Sequence, residues 1–382
     1  MKKNRLYNTI FIFFLLILLL PLSQQISRFP KVAGLKGYFV KERKPVYSTI
    51  NFKNGAFQDS LTRYVENNIG YRSDLVRINN TLDFRLFNVI HAHDVIFGKK
   101  DYLFEIGYID SALGHDFLGE EEICEKVKKA KYIQDCFRKM DKSLVIIVAP
   151  GKGAYHKELI PDEYFNNHDT ITNYEVFIDK ADQIGLSLLD FHGWFLSMKD
   201  TTSYPLYPPY GIHWSQYGMI RCFDSLVDYL SKNGNYHLRD FDWYDVSLEK
   251  KYDKSDYDLG RALNIFGQIK GESLGYPKVK YGSKEGCDQP SLIAISDSYF
   301  WSWYSKGYIS EYFTKGNFLY YYNELYGKGL NKPLIVEDLD RISLVLEHDI
   351  TLVMATEGNL KIFAYGFIDE MYDFLLMQNN EL

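Results

Sequence analysis

Two kinds of hydrophobic pattern alternate along the chain. Residues 144–148 (LVIIV), 292–295 (LIAI) and 350–354 (ITLVM) are short, almost unbroken apolar runs. Such runs mark strands buried on both faces of a parallel sheet. Between them, apolar positions recur with helical spacing at 120–140, 172–183 and 216–232, the second leading into another short apolar run at 186–189. Helix followed by buried strand, repeated, predicts an α/β fold with a central parallel sheet covered on both faces. The strand ends then deliver Pro150-Gly151-Lys152, Asp190, Ser298 and Glu357 to one edge.

Upstream, residues 57–67 and 72 to about 89 carry two further helical patterns, and 94–104 (DVIFGKKDYLF) reads as a hairpin turning at 98–101. Residues 29–47 are basic and proline-spaced, as a tether would be. Periodicity weakens from 235 to 288, which predicts an insertion with small strands. The expected organisation is therefore an anchor or signal at 1–28, a tether, helical lead-in and hairpin packed on the main domain at 29–116, and the main α/β domain at 117–382.

The N-terminal end places Lys2, Lys3 and Arg5 before an uncharged stretch at 9–22, TIFIFFLLILLLPL. As a helix these residues span about 21 Å, short of the hydrocarbon core of about 30 Å. Length alone suits a signal peptide, yet no small-x-small cleavage site follows. An uncleaved signal-anchor with the body exported is the expectation, placing the chain in the cell envelope with its main domain extracytoplasmic. The formal charge of −6 and the lack of any further basic block argue against nucleic acid as a partner. Cys124 and Cys136 share one predicted helix about 18 Å apart and cannot pair, so the four cysteines are expected free or with at most one pair formed. No cysteine-histidine spacing suggests a metal, and Gly151-Lys152-Gly153 lacks the GxxxxGK[ST] spacing of a phosphate loop.

Two stretches carry candidate chemistry. In SLIAISDSYFWSW (291–303) a buried strand breaks into a turn that would expose the Ser298 hydroxyl and its own N–H at the carboxyl edge of the sheet. A serine becomes a nucleophile only when a base takes its proton and backbone donors receive the oxyanion. In YGIHWSQYGM (210–219) His213 lies two residues before Ser215, the expected N-cap of a helix. The positive end of that helix would disfavour the imidazolium and keep the ring ready to accept a proton. Trp301, Trp303, Tyr304 and Tyr308 would line the turn beyond Ser298, as core or as a surface for stacking on a glycan.

Seven stretches in order extend this pattern: NFKNGAFQDSLTRYVENNIGYRSDLVRINN, VIFGKKDYLFE, APGKGAYHKELIP, LLDF, GIHWSQYG, AISDSYF and LVMATEGNL. Together they resemble the alginate O-acetyltransferase branch of the SGNH hydrolase-like proteins, over most of 51–360. The resemblance implies an SGNH-like three-layer fold, with His213 in the Asp-x-His-Trp base motif and Ser298 as nucleophile. It also matches Lys152, Tyr155 and Glu357 to family positions, with Lys152, Tyr155, Trp214, Trp301 and Tyr304 as candidate substrate contacts.

The chain departs from that pattern twice, with Gly211 where the family has its acid and Ser296 where it usually has glycine. Asp190, at a strand end on the same edge, is the candidate replacement for the orienting carboxylate. Without a replacement, activity is low or gone.

The resemblance implies an O-acetyltransferase acting on an exported or cell-surface polysaccharide. It needs no metal or soluble cofactor, and a membrane-bound O-acyltransferase partner supplies the acetyl group. A polysaccharide acetyl esterase uses the same dyad, and a catalytically inactive glycan-binding or scaffold subunit would be consistent with Gly211 and Ser296, though not with retention of His213 and Ser298.

Overall fold

The computed structural model describes residues 2–37, 42–165, 171–234 and 236–380. The chain divides into two compact units, 1–93 with 260–269, and 94–259 with 270–382.

In the first unit an uninterrupted helix, Lys2–Ser27, includes Pro21. Its apolar portion, Arg5–Ser27, has 23 residues and is long and apolar enough to cross a membrane. At 1.5 Å per residue that is about 35 Å, so the shortfall inferred from residues 9–22 alone disappears once the flanking residues, Arg5 among them, are helical too. Two helices, Ala56–Asn68 and Arg72–Phe87, occupy the expected lead-in. The tether expected at 29–47 has no helix or strand among its described residues, and 38–41 lie outside them.

The second unit begins with the expected hairpin, β1 (Val95–Phe97) and β2 (Leu103–Glu105). Strands β3 (Ser143–Ala149) and β4 (Leu188–Asp190) follow. Within the insertion, β5 (Phe241–Glu249) and β6 (Leu274–Tyr281) pair as an antiparallel ribbon longer than the small strands expected. Then come β7 (Leu292–Ser296), β8 (Gly316–Tyr320), β9 (Glu324–Tyr326), β10 (Leu334–Ile335) and β11 (Ile350–Thr356).

The main sheet has seven strands in the order β10-β9-β8-β7-β11-β3-β4. From β8 across to β4 every pairing is parallel, and β9 and β10 add an antiparallel edge. The predicted central parallel sheet is therefore present.

Alternating side chains feed two cores. Val145, Ile147, Leu292, Ala294, Leu352 and Met354 pack on one face with helix Gln216–Asn233. On the other face Ile146, Val148, Ile293, Ile295, Val353 and Ala355 pack with helices Glu120–Lys139, Asn173–Ile184 and Phe367–Asn380. Burial on both sides is what removes polar alternation from these strands. All four cysteines are free thiols.

Candidate active site

Because β7, β8, β11, β3 and β4 are parallel, their carboxyl ends share one edge, as open α/β folds require of a site. At the centre of that edge β7 ends at Ser296, paired with Met354 of β11 on one side and Tyr320 of β8 on the other. The next residue, Asp297, is fully buried and braces the turn. Its Oδ1 accepts from Tyr299 N–H at 3.0 Å, and its Oδ2 accepts from Thr356 N–H and the Asn359 side-chain amide, each at 2.9 Å. Ser298 follows at the start of a short 3₁₀ turn, half-buried.

His213 Nε2 lies 2.9 Å from Ser298 Oγ. Neighbouring residues fix the ring and the loop that carries it. Tyr299, directly after the serine, lies against the imidazole with ring centroids 4.8 Å apart, and its hydroxyl donates to Ile212 C=O at 2.9 Å. Trp214, the next residue, donates its indole N–H to Ser302 at 2.9 Å and stacks on buried Trp303. Ser215 caps the following helix as expected, accepting from Gly218 N–H at 3.1 Å.

The acid opposite Nδ1 is Asp258. Its Oδ2 is 2.5 Å from His213 Nδ1, while Oδ1 accepts from Ile212 N–H at 2.8 Å and Leu259 N–H at 2.7 Å. Backbone donors thus aim the carboxylate, and the carboxylate aims the ring. Asp190 is instead the N-cap of helix Phe191–Ser197, accepting from Gly193 N–H at 2.8 Å and the Tyr174 hydroxyl at 2.7 Å. The expectation that Asp190 orients His213 is therefore replaced by Asp258, from the aperiodic insertion.

The reason for Gly211 is steric. A β-carbon there would come within 2.7 Å of Pro208 Cγ and 2.9 Å of the Asp256 backbone. The segment that delivers Asp258 fills the space an aspartate at 211 would need. That segment is itself anchored: Tyr276 OH accepts from Asp253 N–H at 3.1 Å, Gln216 donates to Ser255 at 2.7 Å, and Tyr252 stacks on Tyr257.

Burial by itself would depress the His213 pKa. The charge and hydrogen bond of Asp258, with Asp297 and Glu105 beyond it, more than offset that and hold the ring above its ordinary value. The expected effect of the helix N-terminus is outweighed, since a carboxylate in contact acts more strongly than a partial dipole charge.

The remaining expected residues divide by burial. Lys152 is 1 % exposed and reaches under the histidine loop, its ammonium donating to Pro209 C=O at 2.9 Å and Gly211 C=O at 2.7 Å. Leu103 N–H of β2 donates to the same Pro209 carbonyl at 2.9 Å, so hairpin and lysine together fix the loop. Lys152, Tyr155 and Trp214 are core residues rather than the substrate contacts expected, as are Trp303 and Tyr308. Trp301 and Tyr304 are half-buried against Phe318.

Burial pushes Lys152 down to about 7, because nothing negative touches its ammonium group closely enough to compensate. Glu357, buried beside Gly151, is pushed up to about 8 by burial, with Oε2 lacking a hydrogen-bond partner. Glu105, at the end of β2, is raised by burial and by Asp258 nearby. The sequence signals for Asp258 are limited to three aspartates at 253, 256 and 258 and a glycine at the motif's acid position.

Chemically, a hydroxyl in contact with an imidazole that is backed by a carboxylate is a nucleophile–base–acid arrangement. No protein-family model matches the chain, and no curated protein matches it. Among solved structures it is similar to the O-acetyltransferase domain of Pseudomonas putida AlgJ, at 15% identity over 73% of this chain and 98% of that one, with a TM-score of 0.45. It is also similar to Pseudomonas aeruginosa AlgX, at 15% identity over 72% and 67% with a TM-score of 0.45. Bacillus cereus PatB1 with a sulfonyl adduct gives 9% over 72% and 99%, again at 0.45. At these values the likeness decides neither family nor chemistry, and the fold stands on the sheet order and register of the chain itself.

Proposed function

We propose that this chain is an O-acetyltransferase of the cell envelope that moves acetyl groups onto hydroxyls of an exported or cell-surface polysaccharide through a Ser298 ester. The observation that carries the enzymatic reading is the continuous contact from Ser298 Oγ through His213 to Asp258, at 2.9 and 2.5 Å. The polysaccharide as acceptor rests on the ordered motif resemblance. The extracytoplasmic placement rests on the apolar N-terminal helix.

In the first half-reaction Ser298 Oγ attacks the acetyl carbonyl carbon while His213 Nε2 takes the hydroxyl proton. The donor's oxygen leaves carrying that proton, handed on by the imidazolium. In the second half, the acceptor hydroxyl gives its proton to Nε2 and its oxygen attacks the acetyl-serine carbonyl, and Ser298 departs and is reprotonated. Asp258 holds the proton-bearing nitrogen in place and stabilises the transient imidazolium. The backbone N–H of Ser298 is the assigned oxyanion donor. A membrane-bound O-acyltransferase is the proposed source of the acetyl group.

The inactive-scaffold reading rests on Gly211 and Ser296, and Asp258 removes the first of those grounds. The test is to expose the full chain in detergent to p-nitrophenyl acetate and search for acetyl on Ser298 by mass spectrometry. An adduct that disappears in Ser298→Ala supports the reading. No adduct, or one that persists in Ser298→Ala, refutes it.

A further inference from the structure

Strand β8, next to the nucleophile strand, ends at Tyr320, and Tyr321 and Tyr322 follow in the turn. Tyr320 pairs in register with Ser296, and Tyr321 N–H donates to Ser296 C=O at 2.9 Å. Their fates differ. Tyr320 packs against Trp301 and Phe318, and Tyr322 turns into the opposite core, 3 % exposed against Phe367. Tyr321 stays at the edge, 38 % exposed.

The backbone enforces this division. Tyr321 and Tyr322 have φ of 49° and 56°, and across the nucleophile strand, beyond β11, Ala364 and Tyr365 have 57° and 56°. Left-handed backbone is uncommon for residues with a side chain, and here two consecutive pairs of such residues flank one serine. The consequence is that Tyr321 and Tyr365, from opposite sides of β7, meet edge to face at 5.1 Å. The Tyr365 hydroxyl donates to Met354 C=O at 3.5 Å, on the β11 residue paired with Ser296, and lies within electrostatic reach of Asp297, the residue before Ser298. Tyr321 is also within electrostatic reach of Glu105, which acts in turn on His213.

We propose that Tyr321, braced by Tyr365, is the platform on which the acceptor sugar ring stacks beside Ser298. The proposal rests on the acetyltransferase reading and adds the residue that chooses sugar over water. A pyranose has one face of C–H groups and a rim of hydroxyls, so it matches an exposed aromatic ring set next to polar groups. Here the polar groups are the hydroxyl of Tyr320, whose ring lies 4.5 Å from that of Tyr321, and the half-buried Glu105, within electrostatic reach. Stacking would hold a sugar hydroxyl over the acetyl-serine long enough to compete with water.

The test measures how the acetyl-enzyme partitions. Full-length protein in detergent is given p-nitrophenyl acetate with cellopentaose, mannopentaose or chitopentaose, and acetylated sugar and free acetate are quantified in one sample. Tyr321→Ala is expected to lower the ratio of sugar product to acetate about tenfold, with a matching rise in the half-saturating sugar concentration. Tyr321→Phe and Tyr321→Trp, which keep a ring, should remain within about threefold of the original ratio. An unchanged ratio in Tyr321→Ala overturns the proposal, as does a loss in Tyr321→Phe equal to that in Tyr321→Ala. If the unaltered protein forms the Ser298 adduct but acetylates none of the three sugars, this inference falls and the enzymatic reading stands. If no adduct forms, both fall.

Discussion

Replacing Asp258 by asparagine changes little in shape and removes the carboxylate in contact with His213. The side chain still accepts from Ile212 and Leu259 N–H through its amide oxygen, so the loop should keep its course. What is lost is the negative charge facing His213 Nδ1, now 2.5 Å away in the unaltered protein. With charge centres about 4 Å apart and an effective dielectric of about 20, an imidazolium and a carboxylate attract by about 4 kcal/mol. Each 1.4 kcal/mol or so is tenfold in rate, so the charge alone is worth about a thousandfold in turnover.

An amide that turns its NH₂ toward Nδ1 would also select the wrong tautomer, bringing the loss to roughly ten-thousandfold, the order seen when a triad aspartate becomes asparagine. The assay is p-nitrophenyl acetate turnover by the full chain from pH 5 to 9. The unaltered enzyme should lose activity as pH falls through a His213 pKa above the ordinary histidine value, since only the neutral ring accepts a proton. In Asp258→Asn the remaining activity should have its acid limb shifted to lower pH. Asp190→Asn serves as the contrast: asparagine caps a helix about as well as aspartate, so the variant should keep most activity. A rate within threefold of the original in Asp258→Asn, or a collapse confined to Asp190→Asn, refutes the assignment.

Three more substitutions follow from the same geometry. Gly211→Asp, which restores the family motif on paper, should not raise activity. It forces atoms into Pro208 and the Asp256 backbone at a cost of about 1–3 kcal/mol, visible as a melting temperature several degrees lower. Glu357→Gln should stabilise the protein in alkaline buffer. The buried carboxyl keeps its proton up to about 8, whereas the unfolded chain releases it near the ordinary glutamate value, so stability falls as pH rises through that window. Equilibrium denaturation at pH 5 and pH 8.5 should show the gain only at the higher pH.

Lys152→Met acts in the opposite sense. Its amine is depressed to about 7, so the native protein sheds a proton that the unfolded chain keeps until about pH 10, and stability should climb across that range. The methionine variant should lose that slope and, having released the Gly211 carbonyl, should turn over more slowly.

Much of the architecture was legible because burial leaves a direct mark on sequence. The runs at 144–148, 292–295 and 350–354 lack polar alternation since both faces of β3, β7 and β11 are covered, and parallel pairing then obliges their following residues to share an edge. His213 before a capped helix and Ser298 after a buried strand were readable for the same local reason, and their 2.9 Å contact follows from the shared edge. Strands β8 to β10 were not anticipated, because short aromatic segments around Tyr320 and Tyr326 carry no alternation that distinguishes them from loop.

The triad acid depended on tertiary structure altogether. Asp253, Asp256 and Asp258 are alike in sequence, yet the first is 3.8 Å from Lys306, the second is buried behind Gly211, and the third meets the imidazole. Which carboxylate completes the site is set by how a ribbon packs across the histidine loop, a contact between positions 45 apart. Local patterns encode how each segment is covered. They do not encode which of three identical side chains a distant loop will face, and only the packed chain decides that.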